Sequence, residues 1–150
     1  MSMRLARLRT VDGSLPFDRS AKGFNRAWWY DGPALQGREY FSVVRGNTEV
    51  ARAEVDPNST DVGSYVGLTV PGVVVKIEFF EVRRRFRGDG IGRDAVAAIA
   101  AQYEGAWLTV VSSDAGGFWE AIGWTEARYG DRPDVPSFRY LLDARTGSAS

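Results

Sequence analysis

Val73-Val74-Val75-Lys76-Ile77-Glu78-Phe79-Phe80-Glu81-Val82 runs into Arg83-Arg84-Arg85-Phe86-Arg87-Gly88-Asp89-Gly90-Ile91-Gly92-Arg93, and the fold is read from this stretch. The first half is almost continuously apolar and rich in β-branched and aromatic residues, which predicts a strand covered on both faces. After the turn, Ile91, Ala95, Ala98 and Ile99 recur at helical spacing and predict the inward face of a helix. Between them Gly88, Gly90 and Gly92 lack Cβ atoms, so the chain can bend sharply and a ligand can approach the backbone. Strand, glycine turn and helix in that order present backbone N–H groups to a phosphate. Arg83, Arg84, Arg85, Arg87 and Arg93 bring guanidinium forks to the same turn.

Two familiar phosphate loops do not fit. The dinucleotide fingerprint requires a third glycine where this chain has Arg93. The P-loop requires Gly-Lys-Ser/Thr, and the lysines are Lys22 and Lys76 alone. The segment Val82–Gly92 instead resembles the acetyl-CoA pyrophosphate loop of the GNAT superfamily of N-acyltransferases, whose Gln/Arg-x-x-Gly-x-Gly/Ala signature is met by Arg87, Gly90 and Gly92. A second segment, Phe118-Trp119-Glu120-Ala121-Ile122-Gly123-Trp124, is similar to the family's aromatic-Tyr-x-x-x-Gly-Phe motif. The resemblance covers Val73 to about Trp124, and the N-terminal third supports it only through element order.

Composition sets the bounds. The chain has 150 residues, 44% hydrophobic and 25% charged, as expected of one globular domain spanning 1–150. Formal net charge is zero, so no global field draws it to nucleic acid or membrane, and the basic cluster is local. Without cysteine there is no disulfide, thiol nucleophile or cysteine zinc site; without histidine the usual general base and imidazole metal ligands are missing. No metal site is expected, and acid–base chemistry falls to carboxylates, tyrosine, lysine or water. No apolar run reaches the roughly 20 residues needed to span a bilayer. The apolar part of the N-terminus is too short for a signal peptide, so a cytoplasmic location is expected.

Along the chain, alternation over Arg4–Val11 predicts a first strand, and one or two short helices are expected within residues 14–38. Glu39–Val44 and Glu49–Val55 read as a hairpin, followed by a polar loop from Asp56 to Asp61. Ala106–Ser112 predicts a fifth strand, Asp114 an N-cap, residues 115–122 a short helix. Trp124–Tyr129 and Ser137–Leu142 are closing strands, and 144–150 is read as a frayed tail. This element order agrees with the resemblance, which implies an α/β (α+β) fold: a mixed, mostly antiparallel sheet of six or seven strands flanked by helices on both faces.

The resemblance further implies direct transfer of an acetyl group from acetyl-CoA to an amine, a small molecule or a peptide, and it also allows a homodimer. Backbone groups around Phe80, Glu81 and Val82 would pair with the pantetheine arm as an added strand. Arg87, Gly88, Asp89, Gly90, Ile91, Gly92 and Arg93 would hold the pyrophosphate, and Ser112, Phe118 and Trp119 would lie along the cofactor. Glu78 and Glu81 are the candidate bases; strand alternation sends them to opposite faces, and Glu78 is preferred. The Val82 N–H would stabilise negative charge on the acyl oxygen. Trp28, Trp29 and Tyr30, with Tyr140, would shape the acceptor site. One departure stands out: Trp119 occupies the place of the family's Tyr, and an indole is not a useful acid. Tyr103, Tyr129 or Tyr140 could substitute. The same departure suits a catalytically inactive acyl-CoA-binding sensor, while a nucleic-acid-binding domain using Arg83–Arg93 is the third reading.

Overall fold

The computed structural model describes residues 2–145. Its strands are β1 (Met3–Leu8), β2 (Glu39–Arg45), β3 (Thr48–Ser59), β4 (Val74–Val82), β5 (Trp107–Val111), β6 (Thr125–Ala127) and β7 (Arg139–Asp143). The helices are α1 (Arg26–Trp29), α2 (Ile91–Gln102) and α3 (Gly116–Ala121), with a 3₁₀ turn at Arg84–Phe86. Hydrogen bonding orders the strands β1-β2-β3-β4-β5-β7-β6 in a seven-stranded mixed sheet. The chain divides into two compact units: residues up to Asp56 with Glu78–Gln102, and Pro57–Ile77 with the residues from Tyr103 onward.

In the first unit β1, β2 and most of β3 form an antiparallel meander, with Leu8 opposite Tyr40 and Ser42 opposite Arg52. The Gly46 turn, at φ +64°, closes the β2–β3 hairpin where the sequence places it. Period-two alternation sorts the apolar side chains to two faces. Leu8, Tyr40 and Phe79 join Phe17, Phe24, Trp29 and Tyr30 under α1. Leu5, Val43, Phe80 and Val82 join Ile91 and Ala95 of α2 on the other. Helices therefore cover both faces of this unit's strands.

The second unit is built on β5. It pairs in parallel with Val75–Ile77 of β4 and antiparallel with β7, and β7 pairs with β6. Arg139, 3% exposed, donates to the Asp61 carbonyl and to Thr109 Oγ1 and pairs with the Asp61 carboxylate at 3.0 Å, tying β7 to β5 and to the loop after β3. Lys76 also reaches Asp61, and these two cations hold its carboxyl below the usual carboxylate range, Lys76 foremost.

Several sequence expectations are corrected. β1 ends at Leu8, short of Val11, and β3 runs through Pro57 to Ser59 where a loop was expected. Residues 14–38 contain one four-residue helix, capped by Asn25 Oδ1 on the N–H groups of Ala27 and Trp28. Ala115, not Asp114, is the N-cap of α3, and no side chain bonds there. β6 is three residues long. Ala144 is buried with its N–H bonded to Ala106 O, and Arg145 forks onto Asp143, so those two residues are ordered; 146–150 lie outside the described residues.

Candidate functional site

The turn after β4 exposes glycine backbone among basic side chains. Gly88 and Gly90 have φ +93° and +75°, a region that favours glycine. A Cβ at Gly88 would meet nothing within 4 Å, so the backbone there is open to close approach. The N–H of Asp94, bonded to Gly90 O, closes the first turn of α2, and the helix N–H groups before it point out of its N-terminus. Arg93 folds back so that its guanidinium lies 3.4 Å from where a Gly90 Cβ would sit. Arg87 is anchored through Nε to Val82 O at 2.9 Å and through Nη2 to Glu81 at 3.0 Å. Helix N-terminal donors, an open glycine surface, the anchored Arg87 and an exposed Arg93, which also reaches Asp94 at 3.4 Å, suit a pyrophosphate. Not every arginine of the cluster takes part: Arg83 donates to the carbonyls of Lys22 and Glu49, so it braces backbone.

The two candidate bases differ sharply. Glu81 accepts from the Asn25 N–H at 2.7 Å and from Trp29 Nε1 at 2.9 Å, and its second oxygen pairs with Arg87. Three donors make it a structural hub that joins the α1 cap to the glycine turn, not a free proton acceptor. Replacing Glu81 by Ala strands the buried Trp29 indole N–H; the expected loss is about 1–3 kcal/mol of stability in urea unfolding, and a change below a few tenths would contradict the hub.

Glu78 goes elsewhere, to Arg38, whose Nη2 lies 3.7 Å away. Arg38 also holds Glu54 at 2.5 Å and lies 4.0 Å from Asp56. Burial pushes the Glu54 carboxyl above its ordinary range against the pull of Arg38, and the charge of Glu78 pushes the same way. The sequence reading missed Glu54 and Arg38. Glu54 follows Arg52 in a polar–apolar alternation that reads as a solvent face, yet both are buried.

Of the residues expected to shape the acceptor site, Trp28 alone is open. It is 39% exposed and leans on Phe79 with ring centroids 5.3 Å apart. Trp29 and Tyr30 are core residues, 0% and 5% exposed; the Tyr30 hydroxyl donates to the Asp18 and Ala21 carbonyls. Neither lines a surface that a substrate could touch, because the β2–β3 face needs their bulk.

In the second unit, Ser112 donates its N–H to Phe138 O. Trp119 is 3% exposed, packed between Phe118 and Trp124, so it is a core ring of α3. Tyr140 is buried too, at 4%, and its hydroxyl occupies the place a Gly116 Cβ would take. Desolvation foremost, then Glu126 and Glu120, raise its pKa, so it keeps its proton. Tyr129 stacks on Tyr65 at 5.4 Å. Among the described residues no cluster of three or more His, Cys, Asp or Glu could hold a metal ion, and no helix is long and apolar enough to cross a membrane.

No protein-family model and no curated protein matches the chain. Solved structures do. An acetyltransferase from Thermus thermophilus aligns at TM-score 0.51 and 18% identity over 71% of this chain, which spans 64% of that protein's length. A GNAT-family acetyltransferase from Desulfovibrio desulfuricans aligns at 0.51 and 14%, over 72% of this chain and 69% of the other. A Tyr-to-Phe mutant of the AtaT toxin, bound to the C-terminus of the antitoxin AtaR and acetyl-CoA, aligns at 0.56 and 14% over 97% of this chain and 96% of the other. The fold is that of the GNAT acetyltransferases.

Proposed function

We propose that the chain is an N-acetyltransferase that moves an acetyl group from acetyl-CoA to an amine. The observation that carries the reading is the glycine turn at the N-terminus of α2, with Arg87 anchored beside it and Arg93 over it, in the GNAT fold. Bound acetyl-CoA supplies an activated thioester, whose thiolate leaves readily because thiols ionise near pH 8.5.

The chain's own residues supply the rest. The turn from Arg87 to Arg93 holds the pyrophosphate. β4 continues to Val82 beyond its last pairing with β5 at Ile77, so the backbone of Phe80–Val82 is the segment that pairs with the pantetheine arm. The Val82 N–H donates to the acyl oxygen as charge develops there. Glu78 takes the amine proton, directly or through water, since Glu81 is committed to its three donors.

Acetyl-CoA raises the melting temperature in the expected result, and NAD and ATP do not; an amine acceptor then drives thiol release. Glu78→Gln lowers kcat about 10²-fold or more. Unchanged kcat in that variant would remove Glu78 from the reaction. Trp119 in place of a phenol favours a second reading, a CoA-binding domain without turnover. Acetyl-CoA binding with no thiol release across an acceptor screen is its signature.

A further inference from the structure

We propose that the cavity at the end of β1 receives the anionic end of the acceptor, so that the substrate is a small amine bearing a carboxylate or a phosphate. The proposal rests on the acyl-transfer reading above. The cavity measures about 610 Å³ and is lined by Arg7, Arg9, Thr10, Gln36, Arg38 and Tyr40 among others, with no acidic residue in its wall. That volume suits a small molecule.

Its cations are held from behind. Arg7 bridges to Glu39 at 2.9 Å, Arg38 holds Glu54 at 2.5 Å with Glu78 at 3.7 Å and Asp56 at 4.0 Å, and none of these acids lines the cavity. A guanidinium carries five donors, so Arg7, braced at one nitrogen, keeps N–H groups for a ligand in the planar fork that suits carboxylate and phosphate. Arg9 pairs with no acid among the described residues. The Tyr40 oxygen accepts the Leu35 N–H at 2.9 Å, which leaves its hydroxyl proton for a further acceptor, and burial above all keeps that phenol protonated.

Arg38 gives the site its direction. Arg38 lines the cavity, and its guanidinium approaches Glu78 on β4. Arginines repel an ammonium and attract an anion, whereas Glu54 and Glu78 behind them do the reverse. A molecule carrying both charges therefore settles with its anion among Arg7, Arg9 and Arg38 and its amine toward Glu78, the group proposed to deprotonate it.

The test uses the intact protein, a panel of L-amino acids with their carboxamides, and phosphoethanolamine with ethanolamine. Two readouts are kept apart: melting temperature with each probe alone, and thiol release with acetyl-CoA. At least one anionic probe should raise the melting temperature and act as acceptor while its neutral counterpart does neither; which pair responds tells carboxylate from phosphate. Arg9→Gln, at an exposed position with no acidic partner to strand, should raise KM for that probe about tenfold with kcat nearly unchanged. Neutral counterparts that serve equally well, no response to any probe, or an unchanged KM in Arg9→Gln would overturn the proposal. Failure of acetyl-CoA alone to bind would instead defeat the acyl-donor reading, and the probe-only melting shifts would still decide the cavity.

Discussion

Gly90→Val should abolish the stabilisation expected from acetyl-CoA under the proposed function. At a ligand concentration a hundred times Kd the wild type should gain about 2.7 kcal/mol, and the variant should gain nothing measurable. Two effects act together. Gly90 sits at φ +75°, where a β-branched residue is strained by about 1–3 kcal/mol, and its new side chain would stand where the Arg93 guanidinium now overhangs the turn. The turn is at the surface and few core groups depend on it, so the variant still folds. Thermal shift with and without acetyl-CoA reads both quantities. A variant that keeps its ligand-induced shift would show that the turn binds no pyrophosphate.

Arg52→Ala has the largest expected effect on stability, a loss of about 3–5 kcal/mol. Arg52 is 0% exposed on β3, and its guanidinium faces the rings of Phe24, Phe17 and Tyr30 at 4.0, 4.9 and 5.5 Å. It donates to Tyr30 Oη at 3.0 Å, to the Asp18 carbonyl at 3.1 Å and to Glu49 at 2.8 Å. Truncation leaves Glu49 without its cation, frees the Asp18 turn and opens a void among three rings. Since small domains hold about 5–15 kcal/mol in all, the urea midpoint should fall steeply. A loss under about 1 kcal/mol would mean that water replaces the guanidinium at no cost. The Arg52 cation also bears on specificity: these three rings already enclose a charge of the protein's own, so they are not the place where a cationic substrate is gripped.

The central strand, the glycine turn and α2 were legible in the sequence because each signal is local. A long apolar run, positive-φ glycines and a helical apolar stripe need no distant partner to be recognised. The β2–β3 hairpin was legible for the same reason. The segment before it was not, since α1 is four residues long and its place is set by Glu81, a residue distant in sequence. Trp29 and Tyr30 read equally well as pocket or core, and burial alone decided for core. Arg52 and Glu54 gave no local signal: charged residues alternating with alanine suit a wet face, but here the cluster around Phe17, Phe24 and Tyr30 covers Arg52, and Glu49 and Arg38 pair the two charges. The grouping of carboxylates around Arg38 was illegible because it joins residues before β2, on β3 and on β4.

Glu81 has a consequence for anyone who varies this protein. One carboxylate serves Asn25, Trp29 and Arg87, so the entry to α1 and the glycine turn are not independent modules. Changes at Trp29 and Arg87 should be epistatic. A double-mutant cycle between them should return a coupling energy well away from zero, because Trp29 and Arg87 hold the two oxygens of one carboxylate and losing either anchor loosens the group the other holds. Natural or engineered variants are thus expected to change these positions together, and a library that randomises the turn alone will also sample the stability of α1.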